Sequence, residues 1–336
     1  MIRGRLATVT DAVNARWAAT STRQRYGLAV ATVLVMAAIP LVVDHFLLVN
    51  TMIYAFIFII LGHSWNVIGG YAGQISLGHA IFFAAGAYGT TILFTYYNVT
   101  PIVGIWIASL VAVVLGLLLG GATFRLRYHY FAMATLAAAL AVRVVAFRWD
   151  YIGAARGIEY PLDQIGTLYS FTFRSIEPYY YLTGIAALLV TLFMYNLDRA
   201  KLGTYLKAIN MDQELAENAG IRAFWYKMYA MGLSSFLAGF AGGLYAQYVM
   251  FIDPESTLRL LRNIDIIMVA IIGGVGTVLG PVVGGFIFIP VREYARATLS
   301  GPSAGLAWAL IGAVILVICM YRPGGILNKY SGRWGE

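Results

Sequence analysis

Residues 66–89 read NVIGGYAGQISLGHAIFFAAGAYG, and the fold turns on how this stretch is understood. It lies between two apolar runs, 46–62 and 81–97, of the length that crosses a bilayer, ~17–25 residues. Yet glycines stand at 69, 70, 73, 78, 86 and 89, with Asn66, Gln74, Ser76 and His79 among them. Glycine weakens a helix, and a polar side chain in apolar surroundings must find a partner or water. An interruption of this kind inside a membrane segment needs a reason, either close packing or function.

The rest of the chain supports the membrane setting. Of 336 residues, 60% are hydrophobic and only 11% charged, with a mean hydropathy of +0.76. A soluble protein has about a quarter of its residues charged, so a large soluble core would have too little surface to wet it. Apolar runs recur at 26–43, 46–62, 81–97, 102–120, 131–147, 181–196, 228–252 and 304–320. The fold class is therefore all-α: a polytopic integral membrane protein with about eight full spans plus broken or re-entrant helical elements. Cys319 stands alone, which excludes an internal disulfide framework and a cysteine metal cluster. The net charge of +8 does not point to nucleic acid, because the arginines flank the apolar runs.

Charge also sets the expected orientation. Arg3, Arg5, Arg16, Arg23 and Arg25 precede the first run, which is long and lacks a small-residue cleavage site. We read 1–25 as a cytoplasmic basic tail, 26–320 as the permease domain and 321–336 as a cytoplasmic tail. Alternation then places 148–180 outside, with Tyr151, Tyr160, Asp163, Tyr169 and Glu177, where it either supports a soluble partner or rests at the membrane interface. Loop 197–227 returns to the cytoplasm with Arg199, Lys201, Lys207, Arg222 and Lys227. Arg143 falls near the outer end of a span and is expected to snorkel.

Stretch 265–289 is a topological problem. A single crossing would put Arg322, Lys329 and Arg333 outside, against the charge bias. Its centre, IIGGVGTVLGPVVGG at 271–285, combines a glycine cluster with Pro281, which removes a backbone donor. Two half-helices that enter and turn back would restore a cytoplasmic tail, and such backbone is tolerated where protein buries it or it lines a wet cavity. Ile68-Gly69-Gly70 and Ile272-Gly273-Gly274 thus open paired interruptions in opposite halves of the chain. Such pairs mark transport paths built from repeats, although close helix packing accounts for glycine equally well. Candidate path residues are Asn66, Gly70, Gly73, Gln74, Ser76, His79, Thr277 and Pro281.

The chain carries no visible engine. No acidic residue occurs between Asp44 and Asp150, and Asp265 falls at a span boundary, so no intramembrane carboxylate offers itself for ion coupling. No GxxxxGK[ST] loop, HExxH or GxSxG motif is present. We expect no cofactor on this chain. Loop 202–227, LGTYLKAINMDQELAENAGIRAFWYK, offers a place for an engine to attach. Asn210 with Gln213 three residues on reads as a capping box, and Gly220 as a terminator. Met211, Leu215, Ala216 and Ala219 would form an apolar stripe beside Asp212, Glu214 and Glu217. Such a short helix either docks on a soluble motor or is merely a solvated loop helix.

Residues 66–90, DQELAENAGIRAFWYK at 212–227 and GGVGTVLGPVVGG at 273–285, in this order and spacing, resemble the LivM-type branched-chain amino acid permeases of ATP-driven importers. The likeness covers roughly 27–325. It implies a bacterial inner-membrane subunit, not itself an enzyme, paired with a second, LivH-type permease. Two cytoplasmic ATPases carrying ATP and magnesium and a periplasmic amino-acid-binding protein would complete the system. Carried over, the coupling segment falls on Asp212, Glu214, Ala216, Glu217, Gly220 and Ile221, followed by Tyr226 and Lys227. The membrane signature falls on Asn66, Gly70, Gly73, Gln74, Ser76, Gly78 and His79. The loop lacks the acidic-Ala-Ala triplet of some importer families. A urea or short-chain amide permease would use much the same scaffold. A stand-alone secondary transporter or channel is the alternative from a different class.

Overall fold

The computed structural model describes residues 46–126, 129–161 and 169–298, with isolated positions 305, 309, 312 and 325–327. The expected spans 26–43 and 304–320 and the tails 1–25 and 321–336 lie wholly or almost wholly outside the described residues, as does Asp163. The chain divides into two compact units after Asn50, and the first is described only at 46–50, the start of the first helix.

Among the described residues, five segments are long and apolar enough to cross a membrane: α1 (Phe46–Trp65) with the turn that continues it to Tyr71, α2 (His79–Tyr97), α3 (Pro101–Thr123), α4 (His129–Arg148) and α5 (Glu177–Arg199). Their boundaries follow local chemistry. Asn98 adopts the left-handed conformation (φ 53°) that closes α2. Pro101, whose ring presets φ and whose missing N–H is not needed there, opens α3. Burial separates the segments. The most apolar windows of α1 and α2 are 67% and 61% buried, whereas those of α3, α4 and α5 are 33%, 22% and 39%. The latter expose Leu118, Met133, Val144 and Leu189, the faces that lipid or a neighbouring subunit would cover.

Segment 197–227 then forms two short helices, α6 (Lys201–Met211) and α7 (Gln213–Asn218). They lead into α8 (Ala223–Val249), whose 27 residues rise about 40 Å. Its glycines, serines and tyrosines keep it less apolar than the five segments above, and α2 and α3 cover much of it. A Cβ on Gly86 would lie 1.9 Å from the Gly239 carbonyl, so the backbones of α2 and α8 touch. The interruption at 86–89 is thus a packing device.

At the far end of α8, β1 (Ile158–Glu159) pairs antiparallel with β2 (Phe251–Ile252), Ile158 opposite Ile252. Tyr160 beside it is 2% exposed and accepts a hydrogen bond from Gln247 Nε2 at 2.8 Å, whereas Tyr151 and Tyr169 face outward. The 148–180 segment is therefore partly folded into the body and partly surface. Arg143 pairs at 2.5 Å with Glu255 on α9 (Pro254–Thr257), whose side chain is 53% exposed, so the guanidinium reaches a carboxylate at the surface.

The problematic stretch is two helices, α10 (Leu260–Gly273) and α11 (Gly280–Thr298). With 14 residues, α10 rises about 21 Å, short of the ~30 Å hydrocarbon core. The two run antiparallel. A Cβ on Gly273 would lie 1.7 Å from the Gly280 carbonyl, one on Gly284 would lie 1.8 Å from the Val269 carbonyl, and Arg292 reaches Asp265. The second pair is one helical turn further from the tip on both arms, and the third, bridged by the long Arg292 side chain, is one turn further on α10 and two on α11. The element is a broken helical hairpin, as the glycines and Pro281 led us to expect. Asp265 is not at its boundary. It lies inside α10, 8% exposed, and is bound to Arg292.

Candidate translocation and coupling site

The two glycine interruptions meet. Beyond Trp65 the helix widens into a fully buried π turn, Asn66–Tyr71, in which an extra residue re-aims the side chains. Between α10 and α11, Gly274 and Gly276 take positive φ of 131° and 75°, and Thr277 Oγ1 donates to the Gly274 carbonyl at 2.8 Å. Asn66 joins the two. Its Oδ1 accepts from Gly276 N at 2.8 Å, and its Nδ2 donates to the Thr277 carbonyl at 2.9 Å. A broken helix leaves exactly such backbone groups unanswered, and one side-chain amide supplies both a donor and an acceptor. Gly70 has to be glycine here: its Cβ would lie 2.0 Å from Asn66 Oδ1 and 2.6 Å from Gly276 N.

Ser76 and His79 belong to a separate network. His79 Nδ1 lies 3.1 Å from Ser76 Oγ, and Nε2 lies 2.9 Å from Ser234 Oγ on α8. Ser234 Oγ donates to the Ser64 carbonyl at 2.7 Å, and Ser64 Oγ donates back to the Ser234 carbonyl at 2.7 Å. A serine beside a histidine has the spacing of an activated nucleophile. Here all four side chains are at most 1% exposed, and the serine proton is committed to a carbonyl. The arrangement tethers α1, α2 and α8 and has no access to a reactant. Ser76 and His79 are both buried among these partners. Asn263 on α10 adds a further tie, accepting from Ala80 N at 2.8 Å in the first turn of α2.

Gln74 and Gly73 lie elsewhere again, on a polar cavity of about 240 Å³ that they share with Asn210, Asp212, Glu214 and Lys227. The Gln74 Oε1 atom is buried there without a hydrogen-bond partner. This cavity brings the membrane interruption beside the loop helix. Pro281 is buried in the first turn of α11, where a Cβ on Gly62 of α1 would lie 3.0 Å from its own Cβ, so it packs against α1.

The loop helix differs in detail from the sequence expectation. Asn210 does not cap it. It occupies the last turn of α6, and Asp212 caps α7 instead, Oδ1 accepting from Leu215 N at 3.0 Å. An aspartate is a stronger cap than an asparagine already held in a helix whose amide is used elsewhere. Gln213 closes no capping box. It donates to Glu217 Oε1 at 2.9 Å and accepts from the buried Lys227 at 2.7 Å. Gly220, at φ 87°, ends the segment. Of the expected stripe only Ala216 is buried, against Ile209 and Ala223 with Ile221 and Tyr226 alongside. Met211 and Leu215 are 76% and 66% exposed. The helix is thus anchored by one side and presents Leu215, Glu214 and Glu217 on the other, with Met211 exposed beside it at the end of α6.

Sequence reasoning missed Ser64, Ser234, Asn263 and the ionic cluster of Arg292 with Asp265 and Glu293. Arg292 and Glu293 follow the apolar window 265–289 directly, and a buried cation there was signalled by an acid inside that window. Among the described residues, no three His, Cys, Asp or Glu side chains converge as metal ligands would.

Comparison with known proteins agrees with this architecture. The chain is 29% identical over 303 residues to the high-affinity branched-chain amino acid transport system permease protein LivM of Escherichia coli, covering 82% of this chain and 68% of that one. It is 27% identical over the same shares to LivM of Salmonella typhimurium. It is 25% identical to the probable branched-chain amino acid transport permease protein LivM of Methanocaldococcus jannaschii, covering 74% and 76%. No solved structure matches the chain. The family model for the permease component of the branched-chain amino acid transport system matches residues 47–319, and the chain, a multi-pass permease subunit with interrupted membrane helices, belongs to that family.

Proposed function

We propose that this chain is the LivM-type subunit of an ATP-driven importer and conducts leucine, isoleucine and valine across the bacterial inner membrane. A second, LivH-type permease, two cytoplasmic ATPases that bind ATP and magnesium, and a periplasmic binding protein complete the machine. The observation that carries this reading is α7 and the residue that ends α6: a capped six-residue helix, anchored through Ala216, holds Leu215 out into solvent beside the exposed Met211 of α6. Such a pair is an anchor for a groove on another protein. Asp212, Glu214, Ala216, Glu217, Gly220 and Ile221 form the coupling segment, and both chain termini lie on its side, the cytoplasm. The 148–180 segment faces the binding protein. ATP binding draws the motors together and moves α7 with them, while solute choice resides in the binding protein. The paired interruptions, with Asn66, Gly70 and Thr277 at their junction, are where the passage opens.

The test is reconstitution of all five components in proteoliposomes. Expected is leucine accumulation that requires ATP and the binding protein, with urea and acetamide not taken up. Leu215→Asp should detach the motors, because a carboxylate in an apolar groove goes unpaired. Uphill leucine accumulation by this chain alone on an ion gradient would overturn the reading.

A further inference from the structure

We propose that Asn210 is a positioning residue that passes displacement of the α7 segment to both membrane interruptions, by way of Gly70 and Asn66. The inference rests on the importer reading above. Asn210 lies in the last turn of α6, directly before Met211 and the cap Asp212, so whatever moves α7 moves it. It grips the membrane turn at two points. Its Nδ2 donates to the Gly70 carbonyl at 2.9 Å, across 140 residues of chain. Its Oδ1 sits 2.2 Å from where a Cβ on Gly73 would be, so it rests on bare backbone at a position with φ of 68°.

From Gly70 onward there is no slack. Gly70 shares its π turn with Asn66, and neither Asn66 Oδ1 nor Gly276 N leaves room for even one carbon on Gly70. Asn66 in turn holds Gly276 and Thr277 through one planar amide, which needs both its oxygen and its nitrogen. The parts joined in this way are the most deformable backbone in the membrane region: a π turn and a link with glycines at positive φ. The cavity of about 240 Å³ beside Asn210 gives its side chain room to travel. A rigid lever bound to two soft turns shifts both of them together.

The experiment uses the complete importer in proteoliposomes and measures leucine taken up per ATP hydrolysed. Asn210→Ala, which removes the grip on Gly70, and Asn66→Asp, which keeps the acceptor for Gly276 but loses the donor to Thr277, should each lower this ratio about tenfold, within the usual range of coupling between sites. The double variant should be no worse than either single one, because both cut one relay. Lipid-facing Leu188→Ala should keep the wild-type ratio. A wild-type complex with ATP-driven uptake and variants of unchanged ratio would overturn the relay alone. A wild-type complex that never accumulates leucine overturns the importer reading and the relay with it. If the variants fail to assemble, amide exchange on the wild-type complex decides. ATP should alter exchange at 210–213 and at 274–279 together, and a change confined to 210–218 sinks the proposal.

Discussion

Arg292 on α11 donates to Asp265 on α10 at 2.7 Å, and with both residues under 10% exposed this ion pair ties the arms of the hairpin far from its glycine tip. Arg292 also holds Glu293 at 2.6 Å and lies 4.5 Å from the centre of the Phe58 ring. Removing one partner from a buried pair leaves an uncompensated charge. Arg292→Met, which strands Asp265 and leaves Glu293 only Arg296 at 3.7 Å, should destabilise the permease by ~3–5 kcal/mol. Asp265→Asn should cost less, because Glu293 still answers the guanidinium. Thermal melting of the purified protein in detergent checks the order, and equal losses would contradict it.

The α2–α8 crossing allows a steric prediction. Gly86→Val places carbon inside the Gly239 carbonyl, and the helices have to separate. Overpacking of a tight core costs typically ~1–3 kcal/mol, and contact with backbone, which cannot yield, puts this case at the top of that range or beyond. At Gly121 nothing lies within 4 Å of the new carbon, so Gly121→Ala should be neutral or gain up to ~1 kcal/mol of helix propensity. Melting temperatures of the two variants, moving in these different ways, check the contact.

Loss of the α7 cap is a local event. Asp212→Ala deletes the acceptor for Leu215 N and should weaken the helix by ~1 kcal/mol, while Asp212→Asn retains it. Amide exchange at 214–218 should accelerate several-fold in the alanine variant and stay near wild type in the asparagine variant.

His79 and Ser234 make a buried contact at 2.9 Å between α2 and α8. A double-mutant cycle of His79→Leu and Ser234→Ala should give a coupling energy of ~0.5–3 kcal/mol. Additive losses would mean that the two side chains act independently.

The sequence pattern reaches the fold class, the five spans from 46–62 to 181–196 and the break at 274–279 because each depends on local chemistry: apolar length, glycine, proline. Gly220 as terminator is local in the same way. The capping of α7 was misread because Asn210 satisfies every local rule for a cap, and only the Gly70 carbonyl, distant in sequence, claims its amide. The same holds for Asn66, whose partners lie some 210 residues away. The tethers of His79 were not legible because Ser64 and Ser234 are small residues inside apolar helices with no periodic mark. Asp265 looked terminal because Arg292 falls beyond the apolar window. Long-range polar pairing is invisible to composition, and in this chain it decides how the buried polar residues are partnered.

One consequence follows from the thin cover over α4, whose most apolar window is only 22% buried. Among the described residues its fastenings include Phe131 stacked on Phe124, Thr135 accepting from Leu77 N, and Arg143 on Glu255. Acyl chains or an adjoining protein must supply the remaining solvation, so this helix is the first to peel away when detergent strips the annulus or a pulling force is applied. The bundle of α2, α3 and α8 would outlast it as the core of any partly extracted state.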